Sequence, residues 1–530
     1  MDMTVLDFEQ AIKNILRDDK SGKNPIPDPL RFSFLSLSEK NVIDKLKNEI
    51  TKKYKPAPLL EIDVPKPNFT IRPMGRPILE DWILYQAIVD YLAKKIATKV
   101  SKYSYSIKRF TRSKNEKNPW IEFDAFNRKC YAEGFKYVVV SDITGYFEHI
   151  EIEMLKNKLL NYCKDDNYKN LVNFLCNNLL SHWSSKLVKG FGLPQGPVAS
   201  SFLGDVYLDM VDKEMSNSRT RKYFRFMDDI RIFCKKEIEG RKALVDLIKI
   251  LRKWNLSINA KKTKIISKEK IENELFDPKK TQLEAVQKAF DSRNENQILA
   301  IIPILVDDIF EKSFEKENLF SKTHLNFSTF RLKILKTSGF EFDEAKVVGL
   351  IKNNFSNKPH VSRDFCDFLN FFKEEKTLDF YYNFLRNDSN IYDWQELYVL
   401  RGVLELNLKP TKRVLNFFKK NFENKEKHWA LRSLYCLLVG KYGDNKDREL
   451  LKDSFNSIET LDLKESIILS LQELGVGSRN KFYSDAKREI PKLSNFIDYV
   501  KNLKKPMYFR KYDQVSLERV SLIENNELSI

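Results

Sequence analysis

The stretch Arg225-Phe226-Met227-Asp228-Asp229-Ile230-Arg231-Ile232-Phe233 decides how this chain is read. Aromatic and β-branched residues flank two adjacent carboxylates, the composition of two short strands joined by a tight turn. Successive strand residues point to opposite faces, so Phe224, Phe226, Ile230 and Ile232 are the candidates to anchor the hairpin in a core. The turn then presents Asp228 and Asp229 together. Two neighbouring carboxylates repel unless a cation lies between them, and a hard divalent ion with oxygen ligands is the usual one. A solvated Asp-Asp turn is the plain alternative, and the rest of the chain decides between the two.

Upstream, Tyr137-Val-Val-Val140-Ser-Asp142 has the valine run of a buried strand. It ends in an aspartate, followed by a glycine turn at Gly145 and a helix from about Ile152. An aspartate at the end of a core strand lies at the sheet edge, where it can supply a third carboxylate to the turn. Phe191-Gly-Leu-Pro-Gln195-Gly196-Pro-Val-Ala-Ser200-Ser201 is a Gly/Pro-punctuated loop opening a helix from Phe202 to about Met215. Its glycines let the backbone approach a ligand closely, and Gln195 can hydrogen-bond a base or sugar edge. An ordinary loop is the other account. A helix over about 237–253 leads to the basic segment Leu256 to Ile265, which faces a phosphate or simply water.

Residues 1–60 contain an amphipathic helix (Val5, Phe8, Ile12, Ile15, Leu16), a proline-rich break at Pro25 to Pro29, a second helix over about 39–53 and a linker from Tyr54. Ile62 to Val64 reads as a strand. Phe69 to Pro77 reads as a hairpin with a glycine turn at Gly75, followed by a helix from about Asp81 to Lys95. Arg72 and Arg76 are surface charges on one reading. On the other they suit a triphosphate, which a guanidinium fork binds bidentately. Tyr103-Ser-Tyr105-Ser-Ile-Lys108-Arg109-Phe110 interleaves aromatics and cations as a single-strand contact would.

A chain of 530 residues exceeds one core, so two or three domains are expected. Lys and Arg outnumber Asp and Glu 92 to 74, a net charge of +18 that favours a polyanionic partner, nucleic acid first. The other account of that charge is a Lys-rich coding background. Six scattered cysteines form no CxxC pair, which argues against zinc and for buried free thiols in a reducing cytoplasm. Neither a signal peptide nor an apolar run of about 20 residues is present, so no membrane association and a cytoplasmic location are expected. Carboxylates on two strands beside basic positions fit nucleotidyl transfer by two metal ions.

The order of these motifs resembles a reverse transcriptase. Asp142-Ile-Thr-Gly-Tyr-Phe147 is similar to the family's first catalytic motif. Gly192-Leu-Pro-Gln-Gly196-Pro-Val-Ala-Ser200 matches G-x-P-Q-G-x-x-x-S, and Phe226-Met-Asp-Asp229 takes the place of Y-x-D-D. Lys262-Thr263 resembles the lysine-bearing segment that follows. The resemblance implies a right-hand palm with fingers over 61–270, with Asp142, Asp228 and Asp229 as the catalytic triad. It also implies two Mg²⁺ ions, with Mn²⁺ able to substitute, held by those carboxylates and the Ile143 carbonyl. Phe147 would select against a ribose 2′-hydroxyl and so favour dNTPs, while Gln195 and Gly196 would line the base and template side. Arg76 matches the triphosphate-binding arginine, and Arg109 and Lys262 are carried over as nucleotide-binding. Phe226 departs from the usual tyrosine, keeping the ring and losing the hydroxyl. No primer-grip motif follows Lys264.

From about Phe330 the chain holds no nuclease, Cys/His module or RNase H-like carboxylate set. Asp393-Trp394 to Arg401, His428-Trp429 to Val439 and Lys464 to Leu474 echo one another at about 35 residues, a period that suits stacked helical pairs of HEAT type. An irregular helical domain is the alternative. The expected fold is therefore α+β: an N-terminal helical segment (1–60), fingers and palm (61–270), a helical connector in place of a thumb (271–330) and an all-α HEAT-like domain (331–530). This architecture resembles the abortive-infection and defence-associated reverse transcriptases of bacteria (AbiA- and AbiK-like). That resemblance implies antiphage defence, homo-oligomers and, in some members, template-free DNA synthesis primed on a tyrosine of the protein, leaving the product covalently attached. The sequence does not choose among 22 tyrosines. Two other readings stand beside it: a conventional reverse transcriptase of retron or mobile-element type copying a bound RNA, and a catalytically idle nucleic-acid-binding scaffold.

Overall fold

The computed structural model describes residues 2–20, 24–50, 54–110, 119–184, 188–218, 220–267, 270–271, 278–314, 321–372 and 376–510. Two antiparallel sheets lie in the N-terminal half. β1 (Leu60–Pro65) and β2 (Ile71–Arg76) form a hairpin. β3 (Tyr137–Ser141), β4 (Arg221–Phe226), β5 (Asp229–Cys234) and β6 (Lys264–Ile266) form a four-stranded sheet in the order β4-β5-β3-β6. The helices Val198–Ser216 and Glu237–Lys253 pack against this sheet, and Leu79–Ile96 packs on the first of them.

The β4–β5 hairpin forms where the aromatic and β-branched run predicts it, but its two faces enter different cores. Register pairs Phe226 with Asp229 and Phe224 with Arg231, so these share one face with Phe233. Phe224, Phe226 and Phe233 meet Phe123 and Phe135 in a small aromatic core. Ile230 and Ile232, with Tyr223, face the main core instead. A sheet buried on both sides leaves only its end for chemistry.

Three expectations are corrected. Gly75 makes no turn: the β1–β2 turn lies at Lys66 to Thr70, closed by the Phe69 amide on the Lys66 carbonyl (3.0 Å). Gly75 sits inside β2 because another backbone comes close there, its amide donating to the Gln195 carbonyl at 2.9 Å. A Cβ at Gly75 would stand 3.3 Å from the Leu60 carbonyl oxygen. The helix after the Gly/Pro loop begins at Val198 rather than Phe202, because Pro197 at φ −60° is set to start a helix. The first N-terminal helix is Phe8–Lys20, leaving Val5 outside it, and the second begins at Leu35 rather than about 39, its expected end over 51–53 lying outside the described residues.

The C-terminal half is helical. Its three echoing segments are the helices Asp393–Leu406, Trp429–Tyr442 and Leu461–Ser470, packed one on the next in chain order. Between them run the amphipathic helices Lys412–Glu423 and Asn445–Ser454. This stack grips the β1–β2 hairpin. The Tyr392 hydroxyl donates to the Phe69 carbonyl (3.0 Å), the His428 Nε2 meets the Glu61 carbonyl (2.7 Å), and Asp462 pairs with Arg76 (3.0 Å).

The N-terminal segment closes the same junction. Asp28 is buried, and its Oδ1 accepts the Leu30 and Phe32 amides at 2.9 and 3.0 Å. Burial pushes its carboxyl up to about 6, against those amides and Arg76. A carboxyl raised in the fold is a penalty above its folded pKa, and the penalty fades as pH falls toward the unfolded value. Asp28→Asn keeps the acceptor oxygen and removes the charge. The melting temperature of the variant is expected to exceed that of the parent at pH 7.5, by the equivalent of about 3 kcal/mol, and to match it near pH 4. A variant less stable at both pH values would refute this account.

Candidate active site

β3 and β5 set the carboxylates side by side. Their register pairs Ser141 with Ile230, so the next residue of each strand end, Asp142 and Asp229, are neighbours across the sheet. Met227 and Asp228 form the two-residue turn between β4 and β5, and Met227 takes φ 54°. Asp142, Asp228 and Asp229 are therefore brought together at one sheet end, as their order in the chain predicts. Burial raises the Asp228 carboxyl to about 6, with the charges of Asp142 and Asp229 adding to it. Burial raises Asp229 too, while Arg231 at 3.7 Å draws it back.

A cation already stands at this charge. The Lys262 ammonium lies 3.1 Å from Asp142 Oδ2, and Asn259 Nδ2 reaches the same oxygen at 3.4 Å. The backbone following β3 is fixed by two hydrogen bonds, Asn259 amide to Asp142 carbonyl (2.7 Å) and Thr144 amide to Ser257 carbonyl (2.9 Å). These hold buried Ile143 opposite Ile258. Gly145 then turns the chain at φ 53°, where a Cβ would strike the His149 ring at 2.8 Å.

The Gly/Pro loop is tied to the same place. The Leu193 amide donates to the Phe147 carbonyl (2.9 Å), and Gln195 Nε2 donates to Glu148 Oε1 (3.2 Å). Gly196 packs against Pro25 and the Gly75 carbonyl. Phe147 is half-buried on the 3-10 turn Tyr146–His149, and Gly204 leaves space beside its ring. Arg76 behaves differently from an arginine awaiting a triphosphate. It is buried, and its guanidinium donates to the Ile26 carbonyl (3.1 Å), the Pro77 carbonyl (3.3 Å) and Asp462 (3.0 Å). Asp462, on the helix Leu461–Ser470, reaches it because the C-terminal stack closes on β2. Arg109 lies in the turn Ser106–Phe110, and its side chain lies outside the described residues.

Against these geometries the comparisons are specific for one part of the chain. Residues 64–291 match the family model of reverse transcriptase (RNA-dependent DNA polymerase). This segment is a reverse transcriptase domain. The match takes in β2 and the whole four-stranded sheet, begins near the end of β1 and ends in the helix Pro278–Ser292, leaving the reverse transcriptase domain at less than half the chain. No curated protein matches the sequence. Among solved structures, an apo telomerase from Candida tropicalis, "truncated from C-terminal domain", is 16% identical over 43% of this chain and 55% of that one, with a TM-score of 0.32. The present chain thus covers about half the length of that telomerase chain.

The donor set of the reverse transcriptase domain fits a hard divalent cation. Among the described residues no three His, Cys, Asp or Glu groups form a ready-made metal cage. Mg²⁺ does not need one, since it binds through one or two carboxylates, keeps several waters and takes further oxygens from substrate phosphates. Burial, with the charge of Asp142 and Asp229 added, raises the Asp228 carboxyl, and Lys262 is the cation drawn onto Asp142.

Sequence reasoning missed what stands behind the turn. The helix Val198–Ser216 buries Asp205, Asp209 and Asp212 among apolar residues. Asp212 takes the buried Arg225 through both oxygens (2.7 and 2.9 Å) and the Tyr223 hydroxyl (2.8 Å). Asp209 takes Lys158 (2.6 Å), Lys213 (2.9 Å) and the Tyr162 hydroxyl (2.6 Å). The signal was present: three acids at positions i, i+4 and i+7 of a largely apolar helix face, with an arginine in the hairpin strand. Buried charges at such spacing need partners.

Among the described residues no helix is long and apolar enough to cross a membrane.

Proposed function

We propose that this chain is a DNA polymerase of reverse-transcriptase type that joins dNTPs by nucleotidyl transfer at Asp142, Asp228 and Asp229. The observation that carries the reading is the convergence of these three carboxylates at one sheet end of a matched reverse transcriptase domain. In this reading Asp142, Asp228 and Asp229, with the Ile143 carbonyl, hold two Mg²⁺ ions. Such ions, when bound, lower the pKa of an attacking hydroxyl and stabilise the charge of phosphoryl transfer. Lys262 balances Asp142 until then and afterwards faces phosphate. Phe147, half-buried beside this sheet end, closes on the ribose C2′ in this reading and so favours dNTPs. Gln195 and Gly196 line the base and template side in this reading; the Gln195 side chain meets Glu148 and its carbonyl accepts the Gly75 amide.

The biological setting proposed is bacterial antiphage defence in the cytoplasm, with synthesis primed on a tyrosine of the protein and independent of a template. Support comes from the long helical half, read as HEAT-type pairs over 331–530, which closes on the β1–β2 hairpin and carries no nuclease motif. Homo-oligomers built on that half belong to the same reading. A second reading is favoured by the family's own description as RNA-dependent: copying of a bound RNA with a conventional primer.

The test uses nuclease-treated full-length protein, Mg²⁺ and labelled dNTPs without template or primer, run on a denaturing gel before and after protease. A labelled species that shifts on protease treatment is the expected outcome. Label that requires an added primed RNA establishes the second reading and overturns the first. No incorporation in either arm, with nucleic acid still bound, leaves a scaffold and overturns both.

A further inference from the structure

We infer that Asp205 is a positioning residue: one buried carboxylate oxygen that fixes both ends of the strained peptide unit carrying the catalytic turn. The inference rests on the reading of Asp228 and Asp229 as catalytic, and its tests separate the two.

Met227 occupies the left-handed region at φ 54° without being glycine. For an L-residue this conformation costs about 1–2 kcal/mol and persists only where the surroundings hold it. Two contacts do so. The Met227 amide donates to Ser106 Oγ at 3.0 Å, and the Met227 carbonyl accepts from Arg225 Nη1 at 3.0 Å. Ser106 and Arg225 come from distant segments, and they meet on a single atom. Asp205 Oδ1 accepts the Ser106 hydroxyl at 2.6 Å, the Ser104 hydroxyl at 2.8 Å and Arg225 Nη1 at 2.7 Å. Asp205, Arg225 and Ser104 are fully buried, and Ser106 nearly so.

The chemistry gives this hub a direction. A carboxylate only accepts, so Asp205 takes the one proton of the Ser106 hydroxyl. The lone pairs of Ser106 Oγ are then left to receive the Met227 amide. The same oxygen orients the Arg225 fork toward the Met227 carbonyl, while Asp212 holds its other edge. The segment around Ser104 is itself seated on the strand, through the Arg225 amide to the Tyr103 carbonyl (3.0 Å) and the Tyr105 amide to the Arg225 carbonyl (2.9 Å). Asp228 follows Met227 directly, so an error in this peptide unit displaces the carboxylate. A displacement of about 1 Å at a reacting geometry can cost about 100-fold in rate.

Ser106→Ala removes one arm of the clamp with little change in volume. We expect its kcat for dNTP incorporation to fall about 10- to 100-fold, with KM for dNTP within about threefold of the parent and a lowered unfolding transition that still leaves the protein folded at the assay temperature. Ser106→Thr, which keeps the hydroxyl, should restore most of the rate. Met227→Gly on the Ser106→Ala background should also recover rate, because glycine holds positive φ without a clamp. A merely structural role would lower the folded fraction, leave kcat per active molecule intact and give additive effects. A second readout needs no turnover: the ¹³C-methyl resonance of Met227 should shift or broaden in Ser106→Ala and in Asp205→Ala. An unmoved resonance overturns the inference even if the parent proves inactive. A moved resonance in an inactive parent supports the clamp and sinks the polymerase reading alone.

Discussion

Asp228→Asn is expected to lower dNTP incorporation by about a thousandfold or more, while the melting temperature stays level or rises. The two effects have one cause. Asp228 is held in a half-buried turn beside Asp142 and Asp229, and its carboxyl is raised by burial and by their charge. In the protein without metal its ionised form is a liability, and an isosteric amide removes that liability without changing shape. The same amide is a poor ligand for a hard cation and carries no charge to bind one. Transition-state stabilisation of phosphoryl transfer by bound ions, worth several kcal/mol, then goes with it. Loss of rate with retained or increased stability is the mark of a site strained for function. Incorporation measured beside thermal unfolding in EDTA decides the matter. If Asp228→Asn and Asp142→Asn both retain parental rates, the carboxylates are solvated turn residues and nucleotidyl transfer must be sought elsewhere.

How much of this was legible depends on how local each signal is. The β3 strand, the β4–β5 hairpin and the three carboxylates follow from two runs of valine and aromatic residues with acids at their ends, each signal spanning only a few residues. The lysine at Asp142 was readable as a basic segment but not as its ion pair, because that contact depends on how β6 returns beside β3. Gly75 was misread because a glycine that admits another chain looks the same in sequence as one that turns its own. Arg76 shows the same limit at longer range. Its neighbours in sequence suit a phosphate, whereas its partner Asp462 arrives from a helix hundreds of residues away. The Asp205 hub joins residues near 105, 205 and 227, and only the assembled sheet brings them to one oxygen. Periodicity predicted the C-terminal helices themselves. What they hold, the β1–β2 hairpin, is a property of surfaces and not of period.

Gly440→Ala is expected to unfold the C-terminal stack more readily, at a cost near the upper end of the roughly 1–3 kcal/mol typical of overpacking. Gly440 lies in the helix Trp429–Tyr442 where it crosses Leu461–Ser470. A Cβ there would stand 2.4 Å from the Ser470 Cβ and 2.6 Å from the Ser470 Cα and carbonyl oxygen. Two of those atoms are backbone, so no rotamer change relieves the clash and the helices must part. Parting them strains the buried contact of Cys436 Sγ with Ser470 Oγ (3.2 Å). It also disturbs the Gly440 carbonyl, which accepts from Arg448 Nε (3.0 Å) and the Tyr508 hydroxyl (3.2 Å). The identical substitution at Gly349, inside the helix Glu344–Asn354 with open space around it, should instead stabilise by about 0.5–1 kcal/mol, because alanine has the better helix propensity. Opposite signs from one chemical change isolate the crossing as the cause, and thermal unfolding of the two variants measures both. The effect should also reach the reverse transcriptase domain. The helix that Gly440 displaces carries Asp462, and Asp462 holds Arg76 at the end of β2. A Gly440→Ala protein still folded at 25 °C is therefore expected to show faster hydrogen exchange in the β1–β2 hairpin, since its Arg76–Asp462 tie is loosened. Unchanged exchange in β1 and β2 would mean that the helical half does not hold the hairpin through Asp462.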